Sequence, residues 1–196
     1  MKNSSLSRVL ILAIGCLAVS PVIVAVSPTA VFAANTNFAA AVELHNAGRD
    51  GDGAATEQAV AAFTALMAED PSNAEAIAYL GSSYALTARD ASAVVDKIRF
   101  TNRGLRFLDQ AVVAAPNDFA VRIIRGSVTA NLPAMFGRAD STIEDFRTLD
   151  QMFSAVQAPT MAPAMIGVYT QLAELAPDQA DWDAKLIAVR AMVAGQ

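Results

Sequence analysis

The sequence predicts an all-α fold in which antiparallel helix pairs stack side by side into an irregular superhelix. Three observations predict it. Apolar residues recur at spacings of three and four through Ala-, Leu- and Arg-rich segments, and no stretch alternates as a strand would. Pro71, Pro116 and Pro177 each follow an apolar helical run, where a proline ends a helix at the residue before it. The segments around the first two prolines also echo one another at a shift of 45 residues.

Composition bounds the rest. The chain has 196 residues, 54% of them hydrophobic, and a net charge of −5. That is long enough for a sizeable core and too apolar for wholesale disorder. The acidic balance excludes a nucleic-acid partner, which needs a basic surface to neutralise phosphates. One cysteine builds neither a disulfide framework nor a thiolate zinc cluster, and no cofactor is expected.

The chain opens on an address. Met1 to Arg8 carries Lys2 and Arg8 and no acid, Val9 to Val26 is apolar apart from Ser20 and Pro21, and Ser27 to Ala33 ends in small residues, with Val31-Phe32-Ala33 meeting the small-or-branched requirement at the cut. A charged start, an apolar middle and a small-residue exit form a signal peptide over 1–33, cut before Ala34, with an exported helical domain over 34–196. The expected location is periplasmic or secreted. Two rival readings are an uncleaved anchor, which Pro21 interrupts, and lipidation at Cys16, because Leu12-Ala13-Ile14-Gly15-Cys16 resembles a lipobox. Cleavage leaves 163 residues with 12 basic and 19 acidic side chains and no thiol to mispair.

In the mature chain, Ala59, Phe63, Leu66 and Met67 form one helical stripe that ends at Glu69-Asp70-Pro71. Ser72 or Asn73 caps the next helix, which carries Ile77, Leu80, Gly81 and Tyr84. Leu105, Leu108, Ala111 and Val112 lead in the same way to Ala115-Pro116-Asn117-Asp118 and a helix from Phe119 to Thr129. At the 45-residue shift, Ala59 maps to Gly104, Phe63 to Leu108, Leu66 to Ala111 and Gly81 to Gly126. A weaker echo is Leu175-Ala176-Pro177-Asp178, followed by a helix holding Trp182, Leu186, Val189 and Met192.

Pro71 to Tyr84, with Ile77, Leu80-Gly81 and Tyr84, resembles the first helix of a tetratricopeptide repeat (TPR). Ala59-x-x-x-Phe63 with Pro71 eight residues later is similar to the second-helix half, and Gly104, Leu108 and Ala111 before Pro116 fill the same slots. Small residues at Gly81 and Ala59 let two helices approach closely. The resemblance covers roughly 55–131. Its spacing of 45 exceeds the usual period of about 34; the extra residues fall between Thr87 and Phe100 and add about three helical turns. Arg122 and Arg125 occupy slots where the family places a bulky residue and a Leu, so charge is expected inside that interface. The resemblance implies a TPR-like right-handed superhelix whose first helices line a concave groove. Ala78, Ser82 and Ala85 would face it in one unit, and Ile123, Ser127 and Ala130 in the next. These residues are small or apolar, so the groove suits an apolar helix face rather than a C-terminal carboxylate.

Other candidates are weighed beside plainer readings. Asn46, Asp50, Asp52 and Glu57, with Gly51 at the turn, half-resemble an EF-hand calcium loop, but Gly48 removes a ligand side chain; the plainer reading is a glycine-rich interhelix turn with Thr56 as helix cap. Arg99, Arg103 and Arg106 share a helix face, and with Arg122 and Arg125 they could form an anion patch. In the plainer reading, Asp109, Asp118, Glu144 and Asp145 neutralise the arginines in an irregular interface. His45 is the sole histidine, and it is expected to be packed or solvated rather than catalytic. Leu132–Arg138 and Gln157–Pro163 are apolar connectors. Met135, Phe136, Met152, Phe153, Met161 and Met165 around them serve as core filler or, alternatively, as an adaptable surface. The function expected is an exported, non-enzymatic TPR-like protein that binds a protein or peptide partner in the cell envelope. The alternative is a helical carrier of an anionic or lipid-like ligand, or an accessory subunit of an envelope transporter.

Overall fold

The structure, a computed structural model, describes residues 28–156 and 158–195. Most of the leader assigned to 1–33, including Cys16, lies outside the described residues. Eight α-helices follow in order: α1 Pro28–Arg49, α2 Gly53–Glu69, α3 Ala74–Asp90, α4 Val94–Ala114, α5 Phe119–Ala130, α6 Ala139–Val156, α7 Ala162–Leu175 and α8 Trp182–Ala194. Single 3₁₀ turns at Ala134–Phe136, Pro159–Met161 and Pro177–Gln179 complete the elements, with no strand among the described residues. Consecutive helices pair as α1/α2, α3/α4, α5/α6 and α7/α8, and each pair leans on the next through α2/α3, α4/α5 and α6/α7. The first helices also touch along the array, α1 to α3 and α3 to α5. The architecture is all-α, a stack of helix pairs.

Local chemistry sets the helix starts. Asp52, Asn73, Asp118 and Asp181 each accept a backbone N–H from three residues ahead, at 2.9–3.0 Å. This satisfies one of the first-turn donors that have no partner inside a helix. Asn73 rather than Ser72 caps α3, while Ser72 hydrogen-bonds Asp70 in the turn. Thr56 is not the cap of α2, because Asp52 holds that position; the Thr56 hydroxyl turns inward, donates to the Asp52 carbonyl and is buried beneath Gly48. The residues added relative to a regular repeat lengthen both helices of the second pair, leaving a three-residue turn at Ala91–Ala93. The second connector is shorter than expected, since α7 begins at Ala162 and places Pro163 in its first turn, where a missing N–H costs nothing.

Three hydrophobic clusters follow one another along the stack. The first holds Ala41, Ala59, Phe63, Leu66, Leu80 and Tyr84. There Phe63 stacks on Tyr79 with ring centres 5.1 Å apart, and Phe38 meets both rings edge-on at 5.9 Å. The second holds Ile77, Ala78, Leu105, Leu108, Val112 and Val121. The third spans α5 to α8 around Phe146, Leu149, Met165, Tyr169, Leu172 and Trp182. Trp182 stacks on Tyr169 and donates its indole N–H to the Ala176 carbonyl at 2.7 Å. Met165 is core filler as expected, whereas Met135 is exposed.

The glycines aligned by the 45-residue echo do related work. A Cβ on Gly81 would lie 2.8 Å from both the Gly104 carbonyl oxygen and Leu108 Cγ, and one on Gly104 would lie 2.6 Å from the Gly81 carbonyl oxygen. Helices α3 and α4 therefore touch backbone to backbone, and a methyl group at either point meets atoms that cannot rotate away. At Gly126 the neighbour is the Phe146 ring instead, 2.5 Å from a built Cβ. The third pair is thus spaced by a side chain. Gly167 on α7 is the counter-case, with nothing within 4 Å of its Cβ position. Gly81→Ala should destabilise the fold by about 1–3 kcal/mol through overpacking, whereas Gly167→Ala should stabilise it by about 0.5–1 kcal/mol through helix propensity. Urea melts followed by circular dichroism check the pair, and equal effects at the two sites would contradict the packing described.

Candidate functional site

The arginines predicted as an anion patch divide into two groups. Arg122 and Arg125 lie on the buried face of α5, 6% and 7% exposed. Between them sits Asp145 of α6, fully buried. Its Oδ1 accepts from Arg122 Nη1 at 2.6 Å and Arg125 Nη2 at 2.8 Å, and its Oδ2 accepts from Arg125 Nε at 2.7 Å. Glu144 takes a second contact from Arg122 Nη1 at 2.9 Å, and Arg122 Nε donates to the Pro116 carbonyl in the α4–α5 turn. Asp109 of α4 bridges Arg125 Nη1 at 3.3 Å and Arg138 Nη1 at 2.9 Å. Three guanidinium groups and three carboxylates make a neutral network joining the second helix pair to the third.

Arginine suits this position because its planar fork pairs with a carboxylate through two parallel hydrogen bonds. Burial alone would lower the Arg125 pKa, but the Asp145 hydrogen bonds and charge reverse that and hold the guanidinium above its ordinary value. Arg122 and Arg125 thus bind acids of their own chain, as the plainer reading had it. Asp118 is the exception in that reading, since it caps α5.

Arg99, Arg103 and Arg106 form a separate, exposed row on α4. Arg99 pairs with Asp96 at 2.9 Å and its guanidinium lies 4.7 Å from the Phe100 ring centre. Arg103 covers the Tyr84 ring at 4.4 Å. Arg103 and Arg106 form no ion pair among the described residues.

The six groove positions also divide. Ala78 and Ser82 are buried and face no groove. Helix α3 is packed by α1, α2, α4 and α5 together, so its first-helix face is covered. Ala78 lies in the second cluster, and the Ser82 hydroxyl meets His45 of α1. Ala85 is half-buried. On α5, Ser127 is exposed, with Ile123 and Ala130 half-buried against the third cluster. On α5 Ser127 is therefore open, and on α7 Pro163 and Gly167 are exposed.

His45 is buried on α1. Its Nε2 lies 2.9 Å from Ser82 Oγ, Tyr79 meets its ring edge-on at 5.1 Å, and Nδ1 has no hydrogen-bond partner among the described residues. Burial, helped by the nearby Arg49 charge and opposed by the Asn46 side chain, lowers its pKa to about 4. The calcium-loop residues do not converge on a point, because Asp52 serves as the α2 cap; no three His, Cys, Asp or Glu side chains gather as a metal site among the described residues.

Two open cavities lie in the C-terminal half, and sequence reasoning did not anticipate them. One, about 360 Å³, is polar and runs along α6 between Asp140, Glu144, Arg147, Gln151 and Gln179. The other, about 190 Å³, has Phe153, Val189 and Met192 on its walls and Lys185 at its rim. Lys185 Nζ bonds both Asp150 oxygens at 2.6 and 2.7 Å, and Tyr169 donates to the same carboxylate at 2.9 Å. Burial and then Asp150 raise the Tyr169 pKa, so its hydroxyl stays protonated. No helix among the described residues is long and apolar enough to cross a membrane.

No protein-family profile matches the sequence, and no curated protein is significantly similar to it. Among solved structures, a thermophilic TPR protein from Thermus thermophilus is similar at 15% identity, over 83% of this chain and 95% of that chain, with a TM-score of 0.47.

Two expected outcomes follow from the buried groups. Asp145→Asn should cost about 3–5 kcal/mol, because it removes the one buried counter-charge and leaves two buried guanidinium groups with only the more exposed Glu144 and Asp109, while Arg106→Ala on the exposed row should change stability by less than about 0.5 kcal/mol; chemical denaturation compares them. For His45, the unfolded chain titrates near 6.5 and the folded chain near 4. The unfolded state therefore binds the extra proton in that window, and stability falls as pH drops through it, by at most about 3 kcal/mol. Melting temperatures at pH 7 and pH 4.5 should converge in His45→Gln relative to the parent chain, and identical slopes in the two proteins would refute this.

Proposed function

We propose that this protein is a non-enzymatic scaffold of the cell envelope that holds an apolar segment of a partner protein against the open first-helix face of its C-terminal half. The observation that carries the reading is the surface of α5 and α7. Ser127 is exposed between half-buried Ile123 and Ala130, and Gly167 leaves space above its backbone. Such a shallow face of small residues lets a helix or an extended peptide approach closely. The anion-carrier alternative loses support at Arg122 and Arg125, which are neutralised within the fold. The leader pattern in residues 1–33 supports export, with the helical domain as the exported part.

The test is capture from an envelope extract with the parent chain and with Ser127→Glu as bait. A partner retained by the parent and reduced about tenfold or more by the charge, the equivalent of about 1.4 kcal/mol, is the expected result. No captured protein at any salt, or equal capture by both baits, overturns the reading. Export is read separately from the N-terminus of the recovered protein, which should begin at Ala34.

A further inference from the structure

The longest fully described helix pair carries an apolar end that the fold does not use. Along α4, Val94, Ile98, Thr101, Leu105, Leu108 and Val112 form one seam at spacings of three and four. Its lower part, from Thr101 on, is buried, with Leu105, Leu108 and Val112 packed against Ile77, Ala78 and Val121. Helix α5, which covers it together with α3, has 12 residues against 21 in α4. At 1.5 Å per residue the cover is about 13 Å too short. Val94 and Ile98 emerge from it, and with Val95 they form an aliphatic knob beside the Ala91–Ala93 turn, Val94 being 69% and Val95 72% exposed.

The knob is tied to the first pair and flanked by basic side chains. Arg89 donates to the Gly48 and Arg49 carbonyls of α1, and Lys97 Nζ donates to the Arg89 carbonyl, so the ends of α3 and α4 are tied together and to the first pair. Residues 89–106 carry five basic and two acidic side chains, and the adjoining Arg49–Asp52 turn adds one basic and two acidic ones, in a chain with 14 basic and 19 acidic. Both acids are paired locally, Asp90 with Arg89 at 2.7 Å and Asp96 with Arg99 at 2.9 Å. Lys97, Arg103 and Arg106 form no ion pair among the described residues.

We propose that this end of the α3–α4 pair docks on an anionic lipid bilayer. An aliphatic tip below a ring of cations is the arrangement that interfacial segments use, with apolar side chains at the acyl boundary and Lys and Arg among the headgroups. The dimensions agree. Lys97 and Arg99 stand about 3–6 Å of helical rise behind Val95, and one headgroup layer is about 5–8 Å thick. Neither cavity described above includes any of its residues. This surface is separate from the α5–α7 face, so either proposal can fail alone.

The test uses the full chain with Cys16→Ala, labelled with an environment-sensitive fluorophore either at Val95→Cys or, as control, at Val113→Cys. Val113 is 83% exposed at the other end of the same helix. A local probe separates the tip from any contribution of the leader. With vesicles of phosphatidylcholine containing phosphatidylglycerol, the label at 95 should shift to the blue and the label at 113 should not. Vesicles of phosphatidylcholine alone should leave both unchanged. Adding Lys97→Glu and Arg99→Glu, with helicity retained by circular dichroism, should weaken the apparent partitioning about tenfold or more. No shift at 95, equal shifts at 95 and 113, an equal shift on uncharged vesicles, or indifference to the charge reversal overturns the proposal. A shift produced by soluble polyglutamate but not by vesicles also overturns it, in favour of an acidic protein.

Discussion

One carboxylate, Asp145, carries the connection between the two helices of the third pair. It sits without solvent between Arg122 and Arg125, where α4, α5 and α6 meet. Apolar side chains, Val121 of α5 among them, fill the clusters on either side, yet the contact of Arg122 and Arg125 with α6 is ionic. A buried ion pair is weak evidence of net stability, because desolvating the charges offsets much of their attraction. Its geometry is demanding, however. The two arginines accept one arrangement of α5 against α6, and Asp109 extends the same constraint to α4 and Arg138. The packing of α5 against α6 is therefore set by directional bonds, whereas that of α3 against α4 is set by contact of two glycine backbones.

That contrast explains what could be read in the sequence. The helix pairs were legible because spacing and proline corners are local signals. The close approach at Gly81 was legible because only a small residue permits it. The arginine interface was half-legible. Arg122 and Arg125 stood where bulky apolar residues were expected, and the acids that neutralise them were in view, but nothing in the spacing assigned Asp118 to a cap and Asp145 to the centre. The groove positions Ala78 and Ser82 were misplaced for a tertiary reason, since α1 and α5 both close over α3, and no periodicity within α3 reveals how many neighbours it has. The cavities beside α6 and α8 left no sequence signal, because residues from different elements line each of them.

The same reasoning separates the two exposed surfaces from the core. On α5 and α7 the open positions are small, so what they offer is proximity. At the end of α4 they are aliphatic and ringed by charge, so what they offer is partitioning and attraction. Neither surface needs the structure to move, and the Arg89 and Lys97 contacts hold the second in place.

Trp182 has a consequence of its own. It is the chain's single tryptophan, and it is tied to Tyr169 and to the Ala176 carbonyl inside the final pair. Its emission thus watches one end of a quasi-linear assembly, in which each module is stabilised chiefly by its immediate neighbours. Fluorescence and helix content need not vanish together when such a molecule is heated, and the gap between the two curves would measure how strongly melting of the tail is coupled to melting of the front.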